Sequence, residues 1–194
     1  MREYLATTGF LFKDSWARVI SGEEEGIFGW ITVNYVNGLL VPADGSAINE
    51  TLGALDLGGA STQITFKADV DLLSDLYNLQ LGSVVNEDLY THSFLYFGNN
   101  EAMRRGKQLA YDTPVTPPVG NTYFSPCYYK GSSIANFPTI QGRSITINGT
   151  GDYGACRSLL LSLLDRSALC FTAPNGQIHT QSTCSIAGEY QPPL

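Results

Sequence analysis

The chain has 194 residues, of which 43% are hydrophobic and 15% charged, and it carries a formal net charge of -7. This length and composition indicate a folded, loop-rich domain that buries most of its unfolded surface, and they argue against a disordered chain. The negative charge argues against nucleic acid or an anionic membrane as the main partner. Bound polyphosphate would therefore be held by backbone N–H groups and a metal ion.

Helix-like and strand-like segments alternate along the chain. The first half predicts, in order, the end of a helix and a loop (1–15), a short strand (Arg18–Ser21), an acidic turn (Gly22–Gly26), a helix (Ile27–Tyr35), a loop (38–52) and a hairpin of two strands (Gly53–Asp56 and Ser61–Phe66). The second half predicts two strands (Tyr77–Leu81 and Asp88–Tyr96), a helix (Glu101–Tyr111), a long loop (Asp112–Phe137), a strand (Arg143–Ile147), a helix (Tyr153–Leu164) and an irregular tail from Phe171. Strands mixed with helices over this length predict an α/β fold.

Two sequons and four cysteines indicate the kind of cellular compartment in which the protein folds. The sequons are Asn49–Thr51 and Asn148–Thr150. The cysteines all lie toward the C-terminal end, from position 127 on: Cys127, Cys156, Cys170 and Cys184. An even cysteine count beside sequons predicts an oxidising compartment and two disulfides, with chance sequons and free thiols as the alternative. Because no signal peptide and no membrane span of roughly 18 apolar residues is visible, we expect the sequence to be a fragment.

The segment Asp56–Gln63, which reads DLGGASTQ, predicts a phosphate-binding loop. Glycines lack Cβ atoms, so the backbone can approach a phosphate oxygen and direct its N–H groups toward it. An aspartate at the end of the preceding strand can hold a hydrated divalent cation. Ser61 and Gln63 lie two residues apart on a strand, so both side chains face the same side and can hold a water molecule. The alternative is an ordinary tight turn.

The segment Gly22–Trp30, which reads GEEEGIFGW, contains three consecutive glutamates. Negative charge is favoured at the N-terminus of a helix, and exposed glutamate runs are common, so composition alone favours a structural role for them. A general base must be a carboxylate or histidine within reach of the attacking water. One of the three glutamates can serve, but spacing alone does not select which.

In this order, the two segments resemble motifs of the ectonucleoside triphosphate diphosphohydrolase (apyrase) family. One family motif reads Glu-Gly-x-x-x-Trp followed by Asn-Tyr, and the next reads DLGGASTQ. The first motif is matched by five residues: Glu25, Gly26, Trp30, Asn34 and Tyr35. The second is matched by Asp56–Gln63. Tyr90–Phe94, Pro126–Cys127 and Pro192–Pro193 also look like this family, so the resemblance covers nearly the whole chain.

The resemblance implies a role for each residue of the two motifs. Glu25 would be the general base, with Ser61 and Gln63 positioning the nucleophilic water. Phosphate would be bound by four successive residues: Gly58, Gly59, Ala60 and Ser61. Asp56 would hold Ca²⁺ or Mg²⁺ through water. The reaction would be in-line attack of water on the terminal phosphorus of a nucleoside tri- or diphosphate, which depends mainly on positioning and charge neutralisation.

The resemblance also implies the domain organisation. Residues 1–194 would form the C-terminal lobe of an actin-like, ribonuclease-H-like α/β phosphatase with two lobes. The N-terminal lobe of the same polypeptide and the final motif would be absent, so we expect little or no nucleotidase activity from the isolated chain. The substrates would be ATP, ADP, UTP and UDP. The location would be the outer face of the plasma membrane, the lumen of the secretory pathway or the extracellular medium.

Two alternatives stay open at this point. An exopolyphosphatase of the same superfamily shares a similar loop, but would be expected to carry an acid at Gln63 and no sequons. A truncated isoform would be an inactive nucleotide-binding module.

The family comparison also predicts the disulfides Cys127–Cys156 and Cys170–Cys184. We expect His92 to be structural.

Overall fold

The computed structural model describes residues 1–40, 50–72, 74–83, 85–114, 116–138, 142–164 and 185–193. Four α-helices lie in these ranges: α1 (Arg2–Ala6), α2 (Gly22–Val36), α3 (Asn99–Asp112) and α4 (Tyr153–Leu164). They are accompanied by seven strands: β1 (Ala54–Leu57), β2 (Ser61–Lys67), β3 (Leu76–Leu81), β4 (Val85–Leu95), β5 (Thr122–Ser125), β6 (Ser133–Pro138) and β7 (Ser144–Gly149). Short 3-10 helices occupy Asp14–Trp16 and Ile186–Gly188.

The strands form two sheets. The larger sheet has the order β1-β2-β4-β3, and each neighbouring pair is antiparallel. The smaller sheet has the order β5-β7-β6, with β5 parallel and β6 antiparallel to β7. The predicted hairpin is confirmed, since β1 and β2 pair antiparallel on either side of the glycine pair. The predicted helix at Tyr153–Leu164 has the bounds of α4.

Helix α2 covers one face of the larger sheet. The core between them is formed by seven buried apolar side chains: Ile27, Trp30, Leu40, Ala54, Leu79, Val85 and Leu89. On the opposite face, Phe66, Tyr90 and Tyr190 form a second cluster. The Tyr90 hydroxyl donates a hydrogen bond of 2.7 Å to the backbone carbonyl of Tyr190, and burial raises the pKa of this hydroxyl. This bond ties the C-terminal segment to the sheet.

Helix α2 begins at Gly22 rather than at Ile27, so the predicted acidic turn is its first turn. Ser21 caps the helix: its hydroxyl accepts a hydrogen bond from the Glu24 backbone N–H, and the Glu24 carboxylate accepts one from the Ser21 N–H. This capping box satisfies two N–H groups at the start of the helix. The predicted strand Arg18–Ser21 is wrong, because these residues form the extended approach to the cap.

The predicted long loop Asp112–Phe137 is also wrong in part, because it contains β5 and most of β6. Both strands pair with β7, which follows them in the sequence. The register of β6 shifts between Ile134 and Phe137, which breaks the regular alternation of its side chains. Their pairing therefore depends on contacts distant in sequence, which the local composition of Pro, Gly, Tyr and Ser does not reveal.

The predicted disulfide Cys127–Cys156 is confirmed, with 4.8 Å between the two Cα atoms. It joins the segment after β5 to α4. The predicted bond Cys170–Cys184 and the sequon at Asn49 lie outside the described residues. Within the described ranges, no helix is long and apolar enough to cross a membrane.

Candidate active site

Two glycines bring the first turns of α2 very close to β2 and β4. A Cβ atom placed on Gly26 would lie 2.5 Å from the Thr65 hydroxyl and 3.0 Å from the Thr91 hydroxyl. A Cβ atom placed on Gly22 would overlap the Ser93 side chain. Since Gly22 and Gly26 are one turn apart, they lie on the same face of the helix. The start of α2 therefore rests directly on the sheet, beside the end of β2 that carries the glycine loop.

The structure separates the three glutamates of α2. Glu24 forms the capping box and also a two-point ion pair with Arg18, with N–O distances of 2.7 and 2.9 Å. The Arg18 hydrogen bonds, followed by the bond from the Ser21 backbone, lower the pKa of Glu24 to about 2. Glu25 faces the sheet instead, and its Oε2 accepts a hydrogen bond of 2.9 Å from the side-chain amide of Gln63. Glu23 is exposed.

Gln63 lies at the centre of the site and is only 1% exposed. Its Nε2 lies 2.9 Å from Glu25 Oε2, 2.8 Å from Ser61 Oγ and 3.1 Å from Ser93 Oγ. In the sheet register, Gln63 is directly opposite Ser93 on β4 and Asp56 on β1. The structure thus brings the side chains of Glu25, Ser61 and Gln63 into contact, and it adds Ser93.

The loop Gly58–Ala60 is held by the start of α3. Its carbonyl oxygens accept four hydrogen bonds from backbone N–H groups there: Asn99 to Gly58 at 2.8 Å, Asn100 and Glu101 to Gly59 at 2.9 and 3.3 Å, and Gly98 to Ala60 at 3.2 Å. Gly98 allows this close approach, since a Cβ on it would lie 2.5 Å from the Ser61 backbone nitrogen. The N–H groups at the start of α3 are therefore satisfied by the loop.

The N–H groups of the loop point the other way. In a planar trans peptide the C=O and the following N–H point in opposite directions. Because the three carbonyls face α3, the N–H groups of Gly59, Ala60 and Ser61 point away from it. No described residue accepts a hydrogen bond from the Gly59 or Ala60 N–H. Gly58, also predicted to offer its N–H, donates it to the Ser61 carbonyl at 3.0 Å. Successive N–H groups directed to one side favour anion binding.

Asp56 lies exposed on the edge strand β1, beside this loop. No described residue donates a hydrogen bond to its carboxylate or forms an ion pair with it. In the part of the chain that the structure describes, no group of three or more His, Cys, Asp or Glu side chains comes together. A single open carboxylate fits a cation that keeps most of its water ligands, as Mg²⁺ commonly does, and it does not fit a cage made of protein ligands alone.

Asn34, a motif residue with no role assigned from the sequence, positions β1. Its side chain is fully buried and clamps the backbone of Leu52, accepting a hydrogen bond of 2.7 Å from the N–H and donating one of 2.9 Å to the carbonyl. It also donates to the Trp30 carbonyl at 2.9 Å. This clamp joins the end of α2 to the segment that leads into β1 and Asp56.

Other candidate side chains lie outside this cluster. His92 pairs with Asp75 at 2.9 Å and stacks near Phe94, as expected of a structural histidine. The register places His92 opposite Ile64, so its side chain leaves the sheet on the face opposite to Gln63. These contacts give His92 a structural environment.

Comparison with known proteins decides the family. The sequence profile of the GDA1/CD39 (nucleoside phosphatase) family matches residues 2–193. The chain belongs to this family. Human ectonucleoside triphosphate diphosphohydrolase 3 is 36% identical over the whole chain, which covers 39% of that relative. Mouse ectonucleoside triphosphate diphosphohydrolase 1 is 34% identical, with coverages of 92% of this chain and 37% of the relative. Probable apyrase 6 of Arabidopsis thaliana is 32% identical, with coverages of 100% and 35%.

Among solved structures, a nucleoside triphosphate hydrolase from Neospora caninum superposes with a TM-score of 0.63 at 20% identity. The match covers 87% of this chain and 40% of that one. This GDA1/CD39 chain thus has the predicted α/β fold, and the predicted resemblance is confirmed. It spans about two fifths of the length of the relatives and the solved structure that it matches.

Proposed function

We propose that this chain supplies the water-activating wall of a metal-assisted hydrolase of nucleoside tri- and diphosphates. One observation carries the proposal: the hydrogen-bonded cluster of Glu25, Gln63 and Ser61 adjoins a loop whose N–H groups point outward. A carboxylate that can accept a proton therefore lies beside groups that can bind phosphate. The names of the relatives, diphosphohydrolase and apyrase, denote the same chemistry.

The chemistry follows from these positions. The N–H groups of Gly59, Ala60 and Ser61 bind phosphate oxygens. Ser61 and Gln63 orient a water molecule, and Glu25 accepts a proton from it as its oxygen bonds to the terminal phosphorus. The bond from that phosphorus to the bridging oxygen breaks, so a nucleoside diphosphate or monophosphate leaves together with inorganic phosphate. Positioning of this kind contributes most of the rate in phosphoryl transfer.

Asp56 fits the role of anchor for a hydrated divalent cation, with Ca²⁺ and Mg²⁺ as the proposed ions. A bound cation would neutralise charge on the phosphates. This neutralisation matters here because the chain itself carries a net charge of -7 and would repel a polyphosphate. Asp56 lies opposite Gln63 in the sheet, so its carboxylate is on the side of the sheet where the water would be held.

Residues 1–194 are proposed to form the C-terminal lobe of a larger enzyme whose cleft lies between two lobes. Edge strand β1 supports a larger polypeptide, since Leu55 and Leu57 are 79% and 67% exposed. They alternate with Asp56 and therefore face away from Gln63, where they are suited to contact a further part of the same polypeptide. The isolated chain would then hold one wall of the site and hydrolyse nucleotides poorly.

The Cys127–Cys156 disulfide supports an oxidising compartment. With the ectoenzyme names of the relatives, it favours the cell surface, the lumen of the secretory pathway or the extracellular medium. We propose that the protein acts there and that its sequons are glycosylation sites.

Phosphate release tests the proposal. The full-length protein that contains this chain, and the 194-residue chain alone, would be assayed with ATP, ADP and inorganic polyphosphate, with Ca²⁺, Mg²⁺ or EDTA. We expect the full-length protein to hydrolyse the nucleotides in a metal-dependent manner and the chain alone to be at least about 100-fold slower, as loss of one phosphate-binding wall implies. Hydrolysis of polyphosphate but not of nucleotides would favour the exopolyphosphatase alternative instead.

A further inference from the structure

We propose that Ser93 is a positioning residue that acts on the attacking water through Gln63. This inference rests on the proposed function and deepens it. Ser93 touches Gln63 Nε2 at 3.1 Å from the neighbouring strand β4. Its role would be to hold the Gln63 amide in position by accepting a share of its hydrogen bonding from the neighbouring strand.

The count of hydrogens around Gln63 carries the argument. A glutamine side chain has two N–H hydrogens, and three acceptors lie within 3.1 Å of Nε2. A deprotonated Glu25 carboxylate can only accept, so one hydrogen points to it. The remaining hydrogen is shared between the hydroxyls of Ser61 and Ser93. Without Ser93, Ser61 would receive this hydrogen alone.

The same cluster fixes the orientation of the amide. If the amide were rotated by half a turn, its Oε1 would face the Glu25 carboxylate oxygen and two like acceptors would meet. Oε1 instead is buried and has no hydrogen-bond partner among the described residues. The amide is therefore held only through Nε2, and each of its three acceptors limits where Gln63 and the water beside it can lie.

The position of Ser93 is set by its neighbours. It is directly opposite Gln63 in the antiparallel register, where paired Cβ atoms lie about 4.5–5.5 Å apart. Gly22 of α2 lies above it, and any larger residue there would overlap the Ser93 side chain. The helix that carries Glu25 thus also confines Ser93, so one helix places two of the three acceptors around Gln63.

A double-mutant cycle in the full-length protein tests the proposal. We expect Ser93→Ala to lower kcat for ATP about 3- to 10-fold, which corresponds to the free-energy contribution of one neutral hydrogen bond. KM should stay unchanged within about twofold. In a Gln63→Ala background, Ser93→Ala should have no further effect. An equal loss in both backgrounds, or no loss in either, would overturn the role through Gln63.

Thr91→Val is the matched control. Thr91 lies on the same strand and face, contacts the same helix, and bonds to the Thr65 hydroxyl at 2.8 Å rather than to Gln63. We expect this variant to lower Tm and leave kcat unchanged. A kcat loss for Thr91→Val equal to that for Ser93→Ala would mean that any hydroxyl under α2 has the same effect, which contradicts the proposal.

A second readout does not depend on hydrolysis. In the ¹⁵N-labelled 194-residue chain, Ser93→Ala should shift the side-chain NH₂ resonances of Gln63 and speed their exchange with water, whereas Thr91→Val should not. If these resonances move but the unsubstituted full-length protein hydrolyses no nucleotide, the proposed function fails and the contact stands. If they do not move, the positioning role is wrong.

Discussion

Gln63 Nε2 donates a hydrogen bond of 2.9 Å to Glu25 Oε2, although the two residues are 38 positions apart in the sequence. The bond links the first turn of α2 to the strand that follows the glycine loop. Of the three consecutive glutamates, Glu25 is the one whose carboxylate reaches Gln63, because Glu24 is bound to Arg18 and the helix cap.

Glu25→Gln should therefore lower kcat in the full-length protein by about 10²- to 10⁴-fold, since the change removes the proposed general base but keeps the size and shape of the side chain. Nucleotide affinity should change little. Glu23→Gln, an exposed neighbour in the same turn, is the control and should keep nearly full activity. Steady-state phosphate release and equilibrium binding of a nucleotide measure the two effects. Retained turnover in Glu25→Gln would remove Glu25 from the mechanism.

Gly26→Ala should destabilise the chain by about 1–3 kcal/mol, because the new Cβ would lie 2.5 Å from the Thr65 hydroxyl and push α2 from the sheet. Gly29→Ala is the matched control on the same helix. An added Cβ there meets nothing within 4 Å, so helix propensity should make it stabilising by up to about 1 kcal/mol. Urea unfolding followed by circular dichroism measures both changes. Equal effects of the two substitutions would contradict the close packing.

Asn34→Ala should cost about 1–3 kcal/mol of unfolding free energy, since it removes both hydrogen bonds to the Leu52 backbone. Asn37→Ala is the comparison variant. Asn37 is exposed, and among the described residues its side chain bonds only to the Val33 carbonyl of the preceding helical turn, so its loss should stay within about 0.5 kcal/mol. Thermal unfolding ranks the two variants by their loss of stability. A larger loss for Asn37→Ala than for Asn34→Ala would contradict the clamp.

The Glu24 carboxyl should titrate at about pH 2 in the folded chain, below its ordinary value of 4.5. Because the folded pKa is lowered, the stabilisation is present above about pH 4.5 and is lost as pH falls toward 2. Arg18→Met should return the pKa toward 4.5, and high salt should weaken the effect at this exposed site. NMR titration of the Glu24 carboxyl carbon measures the pKa. An unchanged value in Arg18→Met would exclude the ion pair as its main cause.

Replacing both Cys127 and Cys156 by serine should lower the free energy of unfolding by roughly 3–4 kcal/mol, the loop-closure value for a separation of 29 residues. Urea unfolding of the variant measures this loss, and the fully reduced chain should lose at least as much, because reduction opens the same loop and also the predicted Cys170–Cys184 bond. Peptide mapping without reductant checks the bond itself. A different partner for Cys127 would contradict the structure.

The sequence predicted the elements whose local pattern is strong. The helix Tyr153–Leu164 and the hairpin around Gly58–Gly59 need no distant partner to be recognised. The start of α2 was missed although its signal was present, since Ser21 and Glu24 have the spacing of a capping box. Strands β5 and β6 were missed because their stability comes from pairing with β7, which local composition does not encode.

Within the site, the sequence alone left three glutamates equivalent, and the family resemblance singled out Glu25. The hydrogen bonds give a physical reason for that choice, because the Glu24 carboxylate is already bound to Arg18 and to the Ser21 N–H of the helix cap. The contribution of Ser93 was invisible from spacing, since it depends on the register that sets β4 against β2. Likewise, the Gly58 N–H points to the Ser61 carbonyl because of the turn between β1 and β2, and the identity of the residue as glycine does not reveal this.

The hydrogen bonds between the loop carbonyls and the start of α3 have a consequence for ligand affinity. The loop is held in place when the chain folds, so a phosphate that binds at this proposed site need not order it, and such preorganisation increases affinity. A change that frays the first turn of α3, behind the loop and away from any ligand, would weaken nucleotide binding without altering a contact to the nucleotide. The proposed phosphate receptor is therefore a helix and a loop that are joined by backbone hydrogen bonds.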